Sequence, residues 1–443
     1  MKEKTPLQIR AAAARHNTSV DQSNRRVPIN LRQSGPTPVE MLISTRVRKS
    51  PYWHLSFESG CWRATVYNRV YHPRGYQRMD EGGAMVEYEA LVNHVTMWNV
   101  AVERQIQVKG PDAEKFVDFV ITRSASLIKP MRGKYVILCN EEGGILNDPV
   151  LLRVAEDEFW FSISDSDLEF WMRGVNIGKG FDVTIAEIDV CPVQIQGPKS
   201  EALMSDLFGS AVSDIPFYGL MEGRLNGADV IISQTGFTGE KGYEIYCKNA
   251  TVDAEKVWYG VLEAGEKHNL MVIAPAHHRR IAAGILSWGQ DIDQEVSPFQ
   301  CNLAYQVPRD KEGDYIGKAA LEKARDQIEA GASPYPLGMV GIVFGGKPVI
   351  DYANDFWLVY GEDGGDAVGY VTSPWYSPEL ETNIALCHVP WDGRDVGTKY
   401  KVALPEEYGG EIVDAEVVEI PFRPSVNPNS REVAKARGSD SVD

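Results

Sequence analysis

Alternation of apolar and polar residues predicts strands early in the globular part of the chain. The stretch "WRATVYNRVYHPRGY" (62–76) alternates in this way and ends in a loop-like Pro-Arg-Gly sequence. Next, "EYEALVNHVTMWNVAV" (87–102) has apolar residues at helical spacing and predicts a helix. A short strand, "ERQIQVKG" (103–110), and a helix that opens at Pro111 follow.

Residues 103–189 combine strands and helices in an order typical of an α+β unit. The run "KYVILCNEEGGILNDPVLLRVAEDEFWFSIS" (134–164) predicts several strands broken by polar turns. The stretch "DSDLEFWMRGVNIG" (165–178) then predicts a helix. Strand, helix, strands and helix in this order indicate one α+β domain.

A second mixed segment and a strand-rich region make up the rest of the globular chain. In residues 190–300 the clearest predicted helix is "TVDAEKVWYGVLEAGEKHNL" (251–270), with Thr251 as its N-cap. Residues 301–336 contain a helix and a linker, "GASPYP" (331–336). From Leu337 to Phe422 strands alternate with Gly-, Asp- and Pro-containing turns, which predicts a small β-barrel or β-sandwich.

Charge is unevenly distributed along the chain. The net charge is −17, with +7 on residues 1–50 and −24 on the remainder. An acidic body argues against nucleic acid and anionic membranes as partners. The basic extension of residues 1–45, which includes the helix-like "TPLQIRAAAARHN" (5–17), predicts a contact with an acidic face of its own or a neighbouring subunit. It is equally compatible with a partly disordered tail, so a homodimer is one of two arrangements it allows.

Length and composition narrow the class of protein further. A chain of 443 residues is too long for one compact core, so we expect two or three domains. There is no run of about 18 apolar residues and no secretory signal at the start, so we expect a cytoplasmic protein. The six cysteines are scattered and predict buried thiols. The adjacent His277 and His278 point in different directions, and we expect no metal site.

The stretch "ISQTGFTGEKGYEIYC" (232–247) predicts two short strands around a glycine-rich turn. Gly236, Gly239 and Gly242 lie three residues apart, which lets the backbone turn tightly. Glu244 follows inside an aromatic strand. On the residues alone, an exposed hairpin carboxylate is the simpler interpretation of this glutamate.

Six separated segments carry a further pattern: "GGILNDPVLL" (143–152), "VQIQGPKSEALM" (193–204), "QTGFTGEKGYEIY" (234–246), "ILSWGQDIDQEVSPFQCNL" (285–303), "YIGKAAL" (315–321) and "VGYVTSPWYSPELETNIALCHVP" (368–390). In this order, over roughly residues 45–425, the chain resembles the folate-dependent aminomethyltransferase family, which includes the T-protein of the glycine cleavage system. Within that family, "ATVYN", "MWNVAVERQIQVKG" and "WFSISDSD" are most similar to the dimethylsulfoniopropionate demethylases.

The resemblance implies an α+β, three-domain fold with its domains arranged around a central folate cavity. Residues 46–102 and 190–300 are then a discontinuous folate-binding α+β domain, and residues 103–189 are a ferredoxin-like α+β domain. Residues 301–336 are a linker and helix, residues 337–425 a C-terminal β-barrel, and residues 426–443 a tail.

The resemblance also implies an activity. The chain is expected to be a tetrahydrofolate-dependent demethylase that moves a methyl group from a small donor to tetrahydrofolate, giving 5-methyltetrahydrofolate. A sulfonium such as dimethylsulfoniopropionate is the favoured donor. The alternatives are O-demethylation of a methoxylated aromatic, N-demethylation of a betaine, and a folate-binding protein without catalysis.

The resemblance places Glu244 at the glutamate that hydrogen-bonds the pterin ring. A fixed carboxylate suits that role because it can accept two adjacent N–H donors of a pterin edge. Three positions depart from the T-protein pattern: its two adjacent acids read Asn147-Asp148, its hairpin tyrosine is Phe237, and only the second of its two folate-side arginines has a match, Arg280. These departures argue against the glycine-cleavage activity itself.

Three groups of site residues are therefore predicted. The catalytic group is Asp148, Asn147 and Tyr243; the cofactor-binding group is Glu244, Phe237, Gln196, Arg280 and Trp288; the substrate-binding group is Trp53, Tyr67, Trp160 and Tyr76. Aromatic faces attract a cationic donor by cation–π interaction, although each aromatic residue taken singly is more typical of a core.

Two further roles depend on the donor. A donor carboxylate requires a cation, for which Arg280 and Arg173 are the candidates. An aryl ether requires a positioned acid, because a phenolate leaves poorly unless it is protonated. Tyr71, Tyr76 and His72 are the candidates for that acid.

Overall fold

A computed structural model describes residues 46–353 and 356–423. The predicted basic extension, its helix, the homodimer contact and the C-terminal tail lie outside the described residues. Within the described ranges, no helix combines the length and the apolar character needed to cross a membrane. All six cysteines are described and are free thiols; five are buried, as predicted, and Cys191 is partly exposed.

The described part of the chain starts with a short helix, a hairpin, a second helix and a strand of the main sheet. These elements are α1 (Trp53–Glu58), β1 (Arg63–Tyr67), β2 (Val70–Gly75), α2 (Gly83–Asn93) and β3 (Val95–Asn99). The loop predicted around Pro73 is wrong, because the turn lies at Asn68 and Arg69, which both have positive φ, and Pro73 belongs to β2.

The helix predicted over residues 87–102 is also wrong in its second half. The observed helix α2 ends at Asn93, and the following Val-Thr-Met-Trp-Asn run forms the fully buried strand β3. This strand pairs with neighbours on both sides. Sheet pairing therefore outweighs the helical spacing of its apolar residues.

Residues 103–189 form an antiparallel sheet covered by two helices. The elements are β4 (Gln105–Lys109), α3 (Ala113–Val120), β5 (Arg132–Tyr135), β6 (Leu138–Cys139), β7 (Ile145–Asn147), β8 (Val150–Ala155), β9 (Glu158–Ser162), α4 (Leu168–Lys179) and β10 (Thr184–Glu187). The strand order is β10-β4-β9-β8-β5, and β6 pairs with β7. Phe116 of α3 and Met172 of α4 are buried in one cluster with Ile106 and Phe161 of the sheet.

The main sheet continues in residues 190–282. Its elements are β11 (Val190–Gln196), α5 (Ser200–Phe208), β12 (Leu220–Leu225), β13 (Ala228–Ser233), β14 (Gly242–Lys248), α6 (Ala250–Gly265), β15 (Leu270–Val272) and α7 (His277–Ala282). The order β12-β13-β14-β11-β3-β15 confirms the predicted glycine-rich hairpin, β13–β14. The predicted N-cap Thr251 is wrong, since Asn249 precedes α6 and Thr251 bonds to Asp189.

Alternation along the strands gives the main sheet two different faces. Val193 and Ile195 of β11 pack in one buried cluster with Val257 and Trp258 of α6. Residues between them in sequence point to the opposite face, because side chains alternate along a strand. On that opposite face, Gln194 is in register with Trp98 on one side and with Glu244 on the other. A row of polar and aromatic side chains thus faces away from α6.

The C-terminal part is a closed barrel, which decides between the two predicted architectures. Helix α8 (Lys318–Glu329) precedes β16 (Leu337–Phe344), β17 (Trp357–Gly361), β18 (Gly364–Ser377), β19 (Thr382–Pro390), β20 (Lys399–Ala403) and β21 (Ile412–Val418). The strands close in the order β16-β19-β18-β17-β20-β21.

The three parts meet around residues 277–307. Ile145 of β7, Ile281 of α7, and Trp375 and Leu386 of the barrel share one buried cluster. The predicted α+β class, with a barrel and a central space between the parts, is confirmed.

Candidate active site

A large cavity lies where the three parts meet. The free space within it and its mouth is about 1440 Å³. Residues of the main sheet, of the 103–189 unit and of the segment after α7 line it together.

Four of the predicted site residues line this cavity. Tyr67 lies at the end of β1, Asp148 just after β7, Phe237 in the β13–β14 turn, and Trp288 in the loop after α7. The indole Nε1 of Trp288 donates to the backbone oxygen of Ile145 at 2.9 Å, which fixes its ring beside β7.

Three further predicted residues are buried and do not line the cavity. Asn147 and Gln196 are fully buried, and so is the Tyr243 ring. The Gln196 amide packs beside the hairpin glycines Gly236 and Gly242, where an added Cβ would overlap it. Gln196 thus packs behind the hairpin turn, whereas Tyr243 lies in the core cluster on the α6 face of the main sheet, away from the cavity.

The remaining predicted residues lie elsewhere and are not part of the site proposed below. Trp53 stacks on Tyr71, with ring centroids 4.8 Å apart, and Tyr76 packs beside Cys61. Trp160 is in a separate core cluster. Arg173 is 58% exposed on α4 and pairs with Glu169.

Arg280 is also outside the cavity, although it is close to it. Its guanidinium forms an ion pair with Asp291, and both side chains are fully buried. It also donates to Ser373 Oγ at 2.8 Å and to the Ile285 backbone oxygen at 3.0 Å. These partners give Arg280 a role in holding α7 against the barrel.

Glu244 occupies a buried network at the sheet side of the cavity. Its carboxylate accepts hydrogen bonds from Gln194 Nε2 at 2.6 Å, Thr235 Oγ1 at 2.7 Å and the Tyr246 hydroxyl at 2.5 Å. Gln194 lines the cavity, and its Oε1 has no hydrogen-bond partner in the described part of the chain. Glu244 thus fixes the amide of a cavity-lining residue.

Glu103 is a site residue that the sequence analysis missed. It lines the cavity from the connection between β3 and β4 and accepts a hydrogen bond from Ser162 Oγ at 2.9 Å. Burial first, and then the nearby charge of Glu244, raises the pKa of Glu103. Because no lysine or arginine within residues 46–353 and 356–423 pairs with either acid, the pair holds a proton readily. A glutamate at the start of the predicted strand 103–110 was the available sequence signal.

Asp148 is a second acid that lines the cavity. Its carboxylate accepts hydrogen bonds from the Ser164 hydroxyl and, at 3.0 Å, from the Tyr135 hydroxyl. Burial raises the pKa of Asp148 to about 7, and the two hydroxyls oppose that rise. Tyr67 and Trp288 add aromatic surface to the same cavity. This wall is therefore aromatic, with an acid that changes its charge near neutral pH.

Two basic side chains were also missed and lie on the wall formed by β2 and α7. Arg74 and His277 both line the cavity, and Nη1 of Arg74 contacts Nε2 of His277. His72 lines it as well, and its Nδ1 has no partner within the described ranges. Burial holds the pKa of both histidines well below the usual value, so their rings are neutral.

Comparison with known proteins decides the family. Residues 56–311 match the GCVT N-terminal domain, and residues 339–423 match the glycine cleavage T-protein C-terminal barrel domain. The chain belongs to the glycine cleavage T-protein family. The resemblance inferred from the sequence is thereby confirmed.

Relatives within the T-protein family differ in activity. The chain is 33% identical over 368 residues to dimethylsulfoniopropionate demethylase DmdA of Ruegeria pomeroyi, covering 82% of this chain and 95% of that one. It is 31% identical over 343 residues to an aminomethyltransferase of Thermotoga petrophila, covering 76% and 88%. The structure of aminomethyltransferase T from Bartonella henselae superposes with a TM-score of 0.73 at 22% identity, covering 85% and 98%, which shows the shared fold.

This T-protein family member is a tetrahydrofolate-dependent methyltransferase. The residues present fit a reduced folate. Gln194 supplies an unpartnered amide oxygen, and Glu103 supplies a carboxyl group that holds a proton readily. Phe237 and the Trp98 ring flank the same region of the cavity with aromatic surface. Aromatic walls with a few fixed polar groups are the usual composition of such sites.

Proposed function

We propose that the protein transfers a methyl group from a small cationic donor, a sulfonium such as dimethylsulfoniopropionate, to tetrahydrofolate. Similarity to the Ruegeria demethylase supports this donor. The observation that carries the proposal is the Asp148 carboxylate, which shares an aromatic-walled cavity with Tyr67, Tyr135 and Trp288. Among the described residues no lysine or arginine forms an ion pair with it, so a ligand cation is its natural partner.

Glu103 and Gln194 are proposed to bind the folate on the sheet side of the cavity. Tetrahydrofolate supplies the N-5 lone pair that accepts the methyl group, and N-5 then releases its proton to give neutral 5-methyltetrahydrofolate. Glu244 is proposed to act by orienting Gln194, since its carboxylate accepts from the Gln194 amide and does not line the cavity. Phe237 provides an apolar wall beside them.

Positioning is the main contribution that these residues make to the rate. The S–CH₃ bond breaks with its electron pair on sulfur, so the leaving thioether is neutral and needs no acid. Holding the donor carbon in line with N-5 can lower the barrier by roughly 7–11 kcal/mol. Ionised Asp148 and the aromatic faces hold the cationic end of the donor, each aromatic face contributing about 0.5–2 kcal/mol.

A labelled-methyl assay tests the proposal. The protein is incubated anaerobically with tetrahydrofolate and methyl-labelled dimethylsulfoniopropionate, and labelled 5-methyltetrahydrofolate is detected by mass. We expect kcat/KM to rise as pH increases through about 7, because Asp148 must be ionised to attract the cation. Absence of labelled product from dimethylsulfoniopropionate would refute the proposed donor.

A methoxylated aromatic is a second candidate donor, and one observation favours it. Asp148, with its pKa near 7, is able to protonate a phenolate leaving group at neutral pH. The same assay with a labelled methoxybenzoate separates the two candidates by the sign of their pH dependence. Transfer from an ether requires the protonated acid, so kcat/KM should fall as pH rises through about 7.

A further inference from the structure

Arg74 is a cation on the cavity wall without a carboxylate partner. It lies near the end of β2 and lines both the central cavity and a smaller adjoining cleft. Its guanidinium lies 5.0 Å from the ring centroid of Tyr352 and contacts the His277 imidazole. In the described part of the chain, no aspartate or glutamate forms an ion pair with it. An arginine in such surroundings is costly unless an anion accompanies it.

His277 does not compensate this charge. Its Nε2 faces Arg74, and its Nδ1 lies 3.2 Å from Nη2 of Arg280, so both ring nitrogens face guanidinium donors. A neutral imidazole accepts a hydrogen bond at only one nitrogen. Arg280 is paired with Asp291 and lies outside the cavity. Arg74 is therefore the guanidinium that lines the cavity without an anionic partner in the described chain.

The position of Arg74 relative to Asp148 indicates which ligand it takes. Asp148 and Arg74 line the same cavity, and Tyr67 lines it with them. A negative and a positive group are thus available to one ligand within that cavity. This arrangement is complementary to a small zwitterion that carries a cation at one end and a carboxylate at the other.

We propose that Arg74 binds the carboxylate of the methyl donor and restricts the enzyme to donors that carry one. The inference rests on the proposed function and extends it from the reacting methyl group to the opposite end of the donor. It replaces Arg280 and Arg173 as the predicted carboxylate-binding residues. A guanidinium suits this task because its parallel N–H groups match the two oxygens of a carboxylate.

Paired donors and an Arg74→Gln variant test the proposal. The two donors are dimethylsulfoniopropionate and its primary amide, which differ only in the charge at the end remote from sulfur. We expect the wild-type protein to prefer the acid in kcat/KM by roughly 10- to 100-fold, as for a lost charged hydrogen bond. Arg74→Gln should raise KM for the acid by a similar factor and leave KM for the amide and for tetrahydrofolate within about twofold.

Arg74→Lys and Arg173→Gln are the matched controls. Arg74→Lys keeps the charge without the paired N–H groups and should recover part of the preference for the acid. Arg173 pairs with Glu169 on the surface of α4, so Arg173→Gln should behave as wild type. Thermal unfolding of each variant shows whether the fold is retained.

Three results would overturn the assignment. Equal losses with the acid and the amide would make Arg74 a structural residue. A raised KM for tetrahydrofolate with unchanged donor KM would place the folate tail at Arg74. If the wild-type protein shows no difference between the acid and the amide, either in turnover or in isothermal titration without folate, Arg74 does not form a carboxylate site.

The titration also separates this proposal from the proposed function. If the wild-type protein binds the acid more tightly than the amide but yields no methylated folate from either, the sulfonium activity fails while the carboxylate site stands. If both donors yield methylated folate with equal efficiency, the sulfonium activity stands and the carboxylate site fails.

Discussion

Replacing Glu244 with glutamine tests whether this carboxylate acts on folate through Gln194. The Glu244 carboxylate accepts a hydrogen bond from Gln194 Nε2 at 2.6 Å. This bond turns the amide nitrogen towards Glu244, and the amide oxygen Oε1 has no protein partner in the described chain. A glutamine at position 244 is able to donate as well as accept, so it no longer enforces one orientation of the neighbouring amide. We therefore expect Glu244→Gln to weaken folate binding.

The expected loss follows from the kind of hydrogen bond that is removed. A hydrogen bond to a charged group contributes about 1.5–3 kcal/mol, which is roughly a 10- to 150-fold change in Kd. Anaerobic isothermal titration with tetrahydrofolate measures Kd for wild type, Glu244→Gln, Gln194→Leu and the double variant. If Glu244 acts through Gln194, the double variant binds folate no more weakly than Gln194→Leu alone.

Glu158→Gln is the matched control for this cycle. Glu158 also accepts three hydrogen bonds, from Gln107, Lys109 and Trp160, but it lies outside the cavity. Its replacement should leave Kd for folate unchanged. Additive losses in the double variant would show that Glu244 contacts folate directly, and unchanged affinity in Gln194→Leu would remove this amide from the site.

Three further predictions concern stability and the support of the cavity. Burial raises the pKa of Asp148 from 3.8 to about 7, so the folded state favours the protonated acid and loses stability as pH rises between these values. Asp148→Asn should therefore be more stable than wild type by on the order of 2–4 kcal/mol in urea unfolding at about pH 8. An equal gain in stability at about pH 5 would contradict this reasoning. Asp291→Ala leaves Arg280 buried and unpaired and should cost about 3–5 kcal/mol in the same assay, whereas a loss below about 1 kcal/mol would show that water reaches the arginine. A Cβ at Gly144 would lie 1.8 Å from the Gln294 backbone oxygen. Gly144→Ala should therefore displace the loop beside β7 and lower the melting temperature. An unchanged melting temperature would show that the loop adapts.

Local patterns predicted the parts of the fold whose signal lies in neighbouring residues. Helix α4 and the β13–β14 hairpin follow their sequence patterns closely, because a helix stop at Gly180 and three spaced glycines mark their limits. Strand β3 does not match the helix predicted for it, because pairing with β11 and β15 outweighs the helical spacing of its apolar residues. The sequence of the strand itself does not show which distant segments pair with it.

The site was predicted only where the family pattern marked it. Asp148 and Phe237 were found in this way and line the cavity. Glu103 and Arg74 were missed because each is one charged residue in a strand-like region, where the solvent-facing interpretation is the more common one. Only the packing of sheet, α7 and barrel shows that these two charges face a shared interior space.

The change from two adjacent acids to Asn147-Asp148 makes chemical sense once both side chains are located. Asn147 faces away from the cavity, donating to the Ser164 backbone oxygen at 2.9 Å and to Ser166 Oγ at 2.8 Å. It thereby holds the loop whose Ser164 hydroxyl donates to Asp148. A second acid would lose these donated hydrogen bonds and place another charge beside Asp148 without a compensating cation. Since a thioether leaves as a neutral molecule, methyl transfer from a sulfonium requires no proton donor, and the single carboxylate of Asp148 is enough to attract the cationic donor.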